Sequence, residues 1–379
     1  QKMKLHILQN LRHRFNKGGK PDYIFLIILG IIVLFGLVAL ASASSVYSYQ
    51  RWENTYHIVV HQILFGLLPG IVLFLFFYLI NYRLWLRFNF FWLILTIILL
   101  ASVFIPGLGA KFGTAKSWID IFGFSFQPSE FAKLTFAIFL AGWCFRKGKD
   151  KIYDFSYGFI PFVFYLGAVC ALVLAQPDLG TMLVFVAASI IIFYTAGAKL
   201  SHLGWLGLSG LAAVIILALK KNYLLNRFLS YINPAADPQG IGYQINQALL
   251  AIGSGGLFGR GYGNSEQKFA YLPEVIGDSI FAIIAEELGF IIVVLVIFLF
   301  AFLMYRGFKI AKLATDEYGK YIAAGIIGWL SFQACLNIAV ISGLAPLTGI
   351  PLPFISFGGT ALAASLAAAG LLLNISKQN

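Results

Sequence analysis

Residues 220–278 read KKNYLLNRFLSYINPAADPQGIGYQINQALLAIGSGGLFGRGYGNSEQKFAYLPEVIGD. The stretch is polar and glycine-rich, and it carries Arg227, Asp237, Arg260, Lys268, Glu274 and Asp278. Long apolar runs flank it on both sides. Connections of this length are uncommon and tend to carry function on a scaffold that holds them. The sequence therefore places the chemistry here, with Asp278 where the next apolar run begins.

Working outward, ten apolar runs lie near 23–43, 58–80, 90–106, 130–145, 158–175, 179–197, 202–219, 279–304, 320–343 and 354–375. Windows of roughly 20 apolar residues read as membrane helices. The chain is 60% hydrophobic and 11% charged, against about 25% charged in an ordinary soluble domain. The expected fold is an all-α integral membrane protein of about ten transmembrane helices. One long extracytoplasmic loop, 220–278, separates the seventh from the eighth. Residues 1–22 alternate Lys2, Lys4, Arg12, Arg14, Lys17 and Lys20 with Leu5, Ile7, Leu8, Leu11 and Phe15. That is a basic amphipathic N-terminus expected on the cytoplasmic surface, followed by a single polytopic domain, 23–379. No small-residue cleavage pattern precedes the first run, so no cleaved signal peptide is expected.

The net charge of +12 does not imply nucleic acid. Its basic residues gather in alternate connections, such as Arg83 and Arg87, Arg146 to Lys151, and Arg306 to Lys320, as the positive-inside rule predicts. Both termini are then cytoplasmic. Residues 107–129, 176–178, 344–353 and the long loop face outward. No Walker A sequence occurs, so a reaction on that face uses an already activated substrate. Cys144, Cys170 and Cys335 lie in or beside apolar runs, which argues against a disulfide framework. No CxxC or HExxH pattern marks a zinc site.

Ionisable groups inside membrane spans are costly and need a reason. Lys133 follows Gln127-Pro128-Ser129-Glu130 and shares a helix face with Glu130. It reads either as an ion pair or as a cation facing an anionic head group. Glu286 and Glu287 point about 100° apart on one helix and read as structural pairing groups. Asp178, after Gln176-Pro177, reads as a cap on a tight turn. Gln333 and Asn337 share a face and are expected to line the same cavity. Residues 345–360 hold three prolines and the Gly358-Gly359 pair, which block regular helix. Irregular backbone at membrane depth survives only when buried in protein or lining a wet cavity. Within the long loop a short helix is expected around 243–252, and the glycine cluster 253–261 after it is a weak signal for a phosphate cradle.

Several blocks make the sequence recognisable: QPSEFAK (127–133), QPDLGT (176–181), DPQGIGYQINQALLAIGSGGLFGRG (237–261), YLPEVIGDSIFAIIAEELGF (271–290) and PLTGIPLPFISFGG (346–359). Over nearly its whole length the chain resembles the SEDS family, the shape, elongation, division and sporulation proteins. The DPQG and KFAYLPE wording is closer to the division branch, FtsW, than to the elongation branch, RodA.

The resemblance implies an inverting peptidoglycan glycosyltransferase that polymerises lipid II on the outer face of the cytoplasmic membrane, for the septal wall or for cell shape. It implies a class B penicillin-binding protein transpeptidase as partner, beside other division or elongation proteins. The family's catalytic aspartate falls on Asp278 and its diphosphate-side lysine on Lys133. Two positions depart from the family pattern. Ser117, with Lys116 before it, stands where an arginine often precedes the Trp at 118, and lysine does not reproduce bidentate guanidinium binding. Phe357 stands where tyrosine is common.

In the expected scheme Asp278 is the general base for the acceptor hydroxyl. Lys133, Arg227, Lys116, Glu130, Gln127, Ser356 and Gly358 form the substrate side. Glu286, Glu287, Asp178, Gln333 and Asn337 support it. A divalent cation, Mg or Mn, is a candidate helper for the diphosphate, with no ligands assigned. The alternatives are a lipid II transporter without polymerase activity, which intramembrane charges and broken helices also suit, and a scaffold for division partners.

Overall fold

The computed structural model describes residues 19–107, 109–112, 115–121, 124–220, 222–233, 240–269 and 271–378. The amphipathic segment expected at 1–22 falls almost wholly outside them, as does the DPQ of 237–239.

Helices occupy all ten apolar runs. They are α1 (Tyr23–Ala43), α3 (His57–Leu79), α4 (Tyr82–Ser102), α5 (Pro128–Lys147), α6 (Phe155–Ala175), α7 (Leu179–Thr195), α8 (Leu200–Lys220), α11 (Ile280–Leu313), α12 (Glu317–Ile341) and α13 (Gly359–Ser376). A short α2 (Ser45–Trp52) follows α1. Seven of these helices are long and apolar enough to cross a membrane, and Leu179–Thr195 and Leu200–Ile215 are shorter apolar helices.

The interior is built from α5, α12, α13 and the first turns of α11. Helix α5 starts with Pro128 in its first turn and Glu130 beside the positive dipole end, and closes with Arg146 and Lys147 before a Gly148 cap at φ 76°. Helix α13 is 89% buried, against 22% for α3 and α4. Its alanines and Gly370 allow this. A Cβ at Gly370 would lie 2.3 Å from the Phe74 carbonyl oxygen of α3, the close approach that small residues permit between membrane helices. The exposed apolar side chains of α3, α4, α6 and α11 form the outer surface. Helix α8 stands furthest out, with Trp205, Leu208 and Leu211 each about 60% exposed.

Three findings correct the sequence reading. First, the connection 109–126 is a three-stranded antiparallel sheet, β1 (Gly109–Phe112), β2 (Ala115–Ile121) and β3 (Phe124–Phe126), in that order. The signal was a period of two: Ser117 and Ile119 are buried while Asp120 is exposed.

Second, the stretch from 220 to 278 holds more helix than the short one expected around 243–252, which the structure bears out. It folds into α9 (Asn222–Ile232) and α10 (Ile241–Ser254), followed by turns. Third, α11 is broken at Gly289, where φ is 77° and ψ 178°. The turn after α10 fills the break. Arg260 and Gly261 amides donate to the Glu286 and Glu287 carbonyls at 2.9 and 3.0 Å, and the Phe290 amide donates to the Gly256 carbonyl at 2.9 Å. At 1.5 Å per residue, this seam lies roughly 12 Å along the helix from Asp278. The glycines at 255, 259 and 289 let the two backbones meet. A Cβ at Gly259 would sit 2.2 Å from the Glu287 carbonyl oxygen. The glycine cluster therefore serves backbone pairing, and its amides at 259–261 are already satisfied rather than cradling phosphate.

Candidate functional site

Asp278 lies one residue before the Ser279 cap of α11 and is 8% exposed. It is not itself the helix cap. Gln244 on α10 donates from Nε2 to Asp278 Oδ1 at 3.3 Å and to Ser279 Oγ at 3.1 Å. Asn337 on α12 donates from Nδ2 to the Asp278 carbonyl at 2.9 Å and to the Ile350 carbonyl at 2.8 Å. Asp278 is thus held by α10 through its carboxylate and by α12 through its backbone carbonyl. Asp278 precedes the membrane-spanning part of α11. Burial first, then the nearby Glu274 carboxylate, push its pKa up to about 7, and the Ser279 hydroxyl and the Arg227 guanidinium on α9 pull it down. An acid poised near neutrality is suited to taking a proton.

Lys133 is buried on α5, and its charge is already matched. Nζ donates to Glu130 Oε1 at 2.7 Å and to Gln333 Oε1 at 2.9 Å, and lies 4.8 Å from the Trp329 ring centre. Of the two sequence readings, this geometry is the ion pair. It is not a closed one, because Glu130 Oε2 is buried without a protein partner. Gln333 accepts from Trp329 Nε1 at 2.7 Å and donates from Nε2 to the Pro351 carbonyl at 3.0 Å. Gln333 and Asn337, one turn apart, therefore grip adjacent carbonyls, Pro351 and Ile350. Lys133 and Asp278 are joined through that shared strand of backbone.

The segment 345–358 is irregular, with Phe354 at φ 65°. The two residues assigned to the substrate side here, Ser356 and Gly358, also hold the segment in place. Ser356 Oγ accepts from the Leu352 amide at 2.8 Å, and the Gly358 amide donates to Gln62 Oε1 at 3.1 Å. The Phe357 amide donates to the Ile276 carbonyl at 2.8 Å, fastening the segment to the approach to Asp278. Gln127 donates its amide to Thr360 Oγ1 at 3.4 Å. Lys116 sits on β2, but its side chain lies outside the described residues.

The supporting residues fall into two groups. Asp178 caps α7, accepting from the Thr181 amide at 3.0 Å and the Thr181 hydroxyl at 2.8 Å. Glu286 accepts from Ser265 Oγ at 2.5 Å and the Glu266 amide at 3.0 Å. Glu287 accepts from Ser42 Oγ at 2.7 Å and Lys268 Nζ at 3.0 Å. Both glutamates fasten the turn 260–268 to the break in α11, away from Asp278.

Sequence reasoning missed Gln244, Trp329, Gln62 and the Lys268–Ser42 contacts. Gln244 alone carried a signal, as the polar residue that falls on the buried side of a short helix whose Asn246 faces out. Among the described residues no three His, Cys, Asp or Glu side chains gather as a metal site, so no ligand set is assigned to a divalent cation.

Comparison with known proteins places this geometry. Residues 22–379 match the family model described as cell cycle protein, FtsW/RodA/SpoVE. Stage V sporulation protein E of Bacillus subtilis is 41% identical over 361 residues, covering 95% of this chain and 98% of that one. A probable peptidoglycan glycosyltransferase FtsW of Trichlorobacter lovleyi is 39% identical, covering 98% and 96%. Among solved structures, a chain of a peptidoglycan synthase complex that coordinates polymerization and crosslinking superposes with a TM-score of 0.77 at 27% identity, over 94% of this chain and 97% of that one. The rod shape determining protein RodA of Thermus thermophilus gives 0.69 at 27% identity, over 94% and 96%. Relatives of the FtsW name are 36–39% identical to this chain, against 27% for RodA of Thermus thermophilus, in keeping with the DPQG and KFAYLPE wording. This chain, a multi-pass membrane protein, belongs to the FtsW/RodA/SpoVE family.

Proposed function

We infer that the chain is a peptidoglycan glycosyltransferase, and that it polymerises lipid II on the outer face of the cytoplasmic membrane. The observation that carries the reading is Asp278: a buried carboxyl fixed at the head of a broken helix, with a pKa near neutrality.

The acceptor sugar hydroxyl attacks the anomeric carbon of the donor. The carbon–oxygen bond to the diphosphate breaks, its electron pair leaves with the polyprenyl diphosphate, and the hydroxyl proton passes to Asp278. One carboxylate is sufficient, because a diphosphate leaves without protonation. Developing charge on it is met by Arg227, and by Lys133 if Glu130 yields part of its hold. The synthase complex among the structural relatives supports a class B penicillin-binding protein as partner.

The test is polymerisation of lipid II by the purified protein, with and without a cognate transpeptidase. Asp278→Asn is expected to cost roughly 100- to 10,000-fold in rate. Near-normal turnover by a folded variant rejects the base role. Movement of lipid II across vesicles by the wild type without any polymer moves the assignment to a transporter.

A further inference from the structure

At the end of the bundle remote from Asp278, the start of α1, the end of α11 and the end of α13 surround a cavity of about 380 Å³. Lys20, Asp22, Arg306, Lys309 and Ser376 give it polar walls. The single carboxylate is already neutralised. Asp22 Oδ2 accepts from Arg306 Nη2 at 2.6 Å, and Oδ1 accepts from the Phe25 amide at 2.9 Å. The Asp22 amide donates to Ser376 Oγ at 3.1 Å. These contacts tie the three helices together and fix the walls.

Positive charge is left over. Lys20 and Lys309 are exposed and have no ion-pair partner among the described residues. Arg306 Nε is buried with no hydrogen-bond partner. The mouth is apolar: Tyr23, Ile24 and Leu313 are 54%, 45% and 56% exposed on helices that cross the membrane. Lysines that merely snorkel to water account for Lys309 but not for an open pocket that three helix ends line together.

We propose that this cavity binds the phosphate of an anionic phospholipid, with the acyl chains lying along Tyr23, Ile24 and Leu313. Basic pockets between transmembrane helices take such head groups. The volume admits a phosphoglycerol head, whose phosphate Lys20, just before α1, and Lys309, on α11, would meet beside the Arg306 guanidinium. A soluble phosphate ester would use the same cations but would leave the apolar mouth uncovered. The proposal is independent of the catalytic reading.

The test uses the full purified chain, delipidated in detergent and titrated with phosphatidylglycerol or phosphatidylcholine, with bound lipid counted by native mass spectrometry. The wild type is expected to retain phosphatidylglycerol over phosphatidylcholine. Lys20→Gln with Lys309→Gln weakens that retention by about fivefold per lysine, leaving the Arg306–Asp22 tie intact. Lys309→Arg keeps the retention, and so does Lys312→Gln, on the same helix end but outside the cavity. Equal phosphatidylglycerol retention by the double variant and the wild type overturns the site. Displacement of phosphatidylglycerol by water-soluble glycerol 3-phosphate at similar concentration overturns the lipid assignment.

Discussion

Two lysine–glutamate pairs are buried among the described residues, and they differ in what surrounds them. Lys133 and Glu130 are neighbours on one helix, three residues apart. They meet without any tertiary contact, so their pairing holds no two segments together. Lys268 and Glu287 come from a connecting turn and from the break in α11, and Ser42 of α1 donates to the same carboxylate. That pair joins three segments. Its carboxylate is crowded with donors, whereas Glu130 keeps one oxygen free. A buried charge is retained either to fix structure or to meet something else. The second pair is a clamp, and the first is poised beside the backbone that leads to Asp278.

The largest expected effects separate the two. Lys133→Met or Lys268→Met each leaves a buried glutamate without its cation, at a cost of roughly 3–5 kcal/mol. Neutralising both partners removes that penalty. Glu130→Gln with Lys133→Met should melt close to the wild type in detergent yet polymerise lipid II at least about 100-fold more slowly. Glu287→Gln with Lys268→Met should keep polymerisation within a few-fold of the wild type. If the second double variant melts normally and has also lost polymerisation, the division into clamp and poised site is wrong.

Asp278 sharpens the same contrast, because an uncompensated carboxyl costs stability when it ionises. Its folded pKa of about 7 exceeds the ordinary carboxylate value of about 3.9. Between those values the folded state holds the extra proton. Stability is therefore greatest at low pH and is lost as pH rises toward 7, by about 4 kcal/mol in all. Asp278→Asn removes the penalty. It should melt higher than the wild type at pH 8 and alike near pH 4. Catalysis runs the other way: polymerisation by the wild type should fall about tenfold for each pH unit below 7. A flat rate from pH 5.5 to 8 would remove Asp278 from the proton transfer.

Gly289→Ala tests the seam that the clamp protects. A Cβ there meets the Gly259 amide nitrogen at 2.2 Å on a residue with φ 77°. Strain and overpacking together should cost about 3 kcal/mol, read as a lowered melting temperature. Lys268→Met should add little on top, because a seam that has already parted gives its clamp nothing to hold.

The two regions were unequally legible in the sequence. Lys133 was placed beside Glu130 by spacing alone, and Gln333 beside Asn337, because helical periodicity fixes which residues share a face. The ten helical runs followed from hydropathy. Lys268 gave no sign of its partner: its contact with Ser42 spans 226 residues and exists only because α11 breaks at Gly289. The glycines at 255 and 259 were open to misreading for the same reason. Close approach and phosphate cradling ask for the same residue type, and only the partner strand of backbone tells them apart. Ser356 and Gly358 sit in a recognisable block, yet block membership did not reveal that their polar groups hold backbone.

The smallest effect belongs to Asp178, a third carboxylate in one of the recognisable blocks, which shows neither the clamp's crowding nor the unpaired oxygen of Glu130. Its two oxygens are taken by the amide and hydroxyl of Thr181, a local cap within one helix start. Asp178→Ala should cost about 1 kcal/mol of stability, and Asp178→Asn, which keeps the capping acceptor, only a few tenths. Neither should change polymerisation beyond what the lost stability accounts for. Asn restoring the melting temperature while the rate stays about 100-fold down would show that the charge itself acts on substrate. The cation-facing region would then extend from Lys133 across to the start of α7, and the line drawn here between capping carboxylates and acting ones would have to move with it.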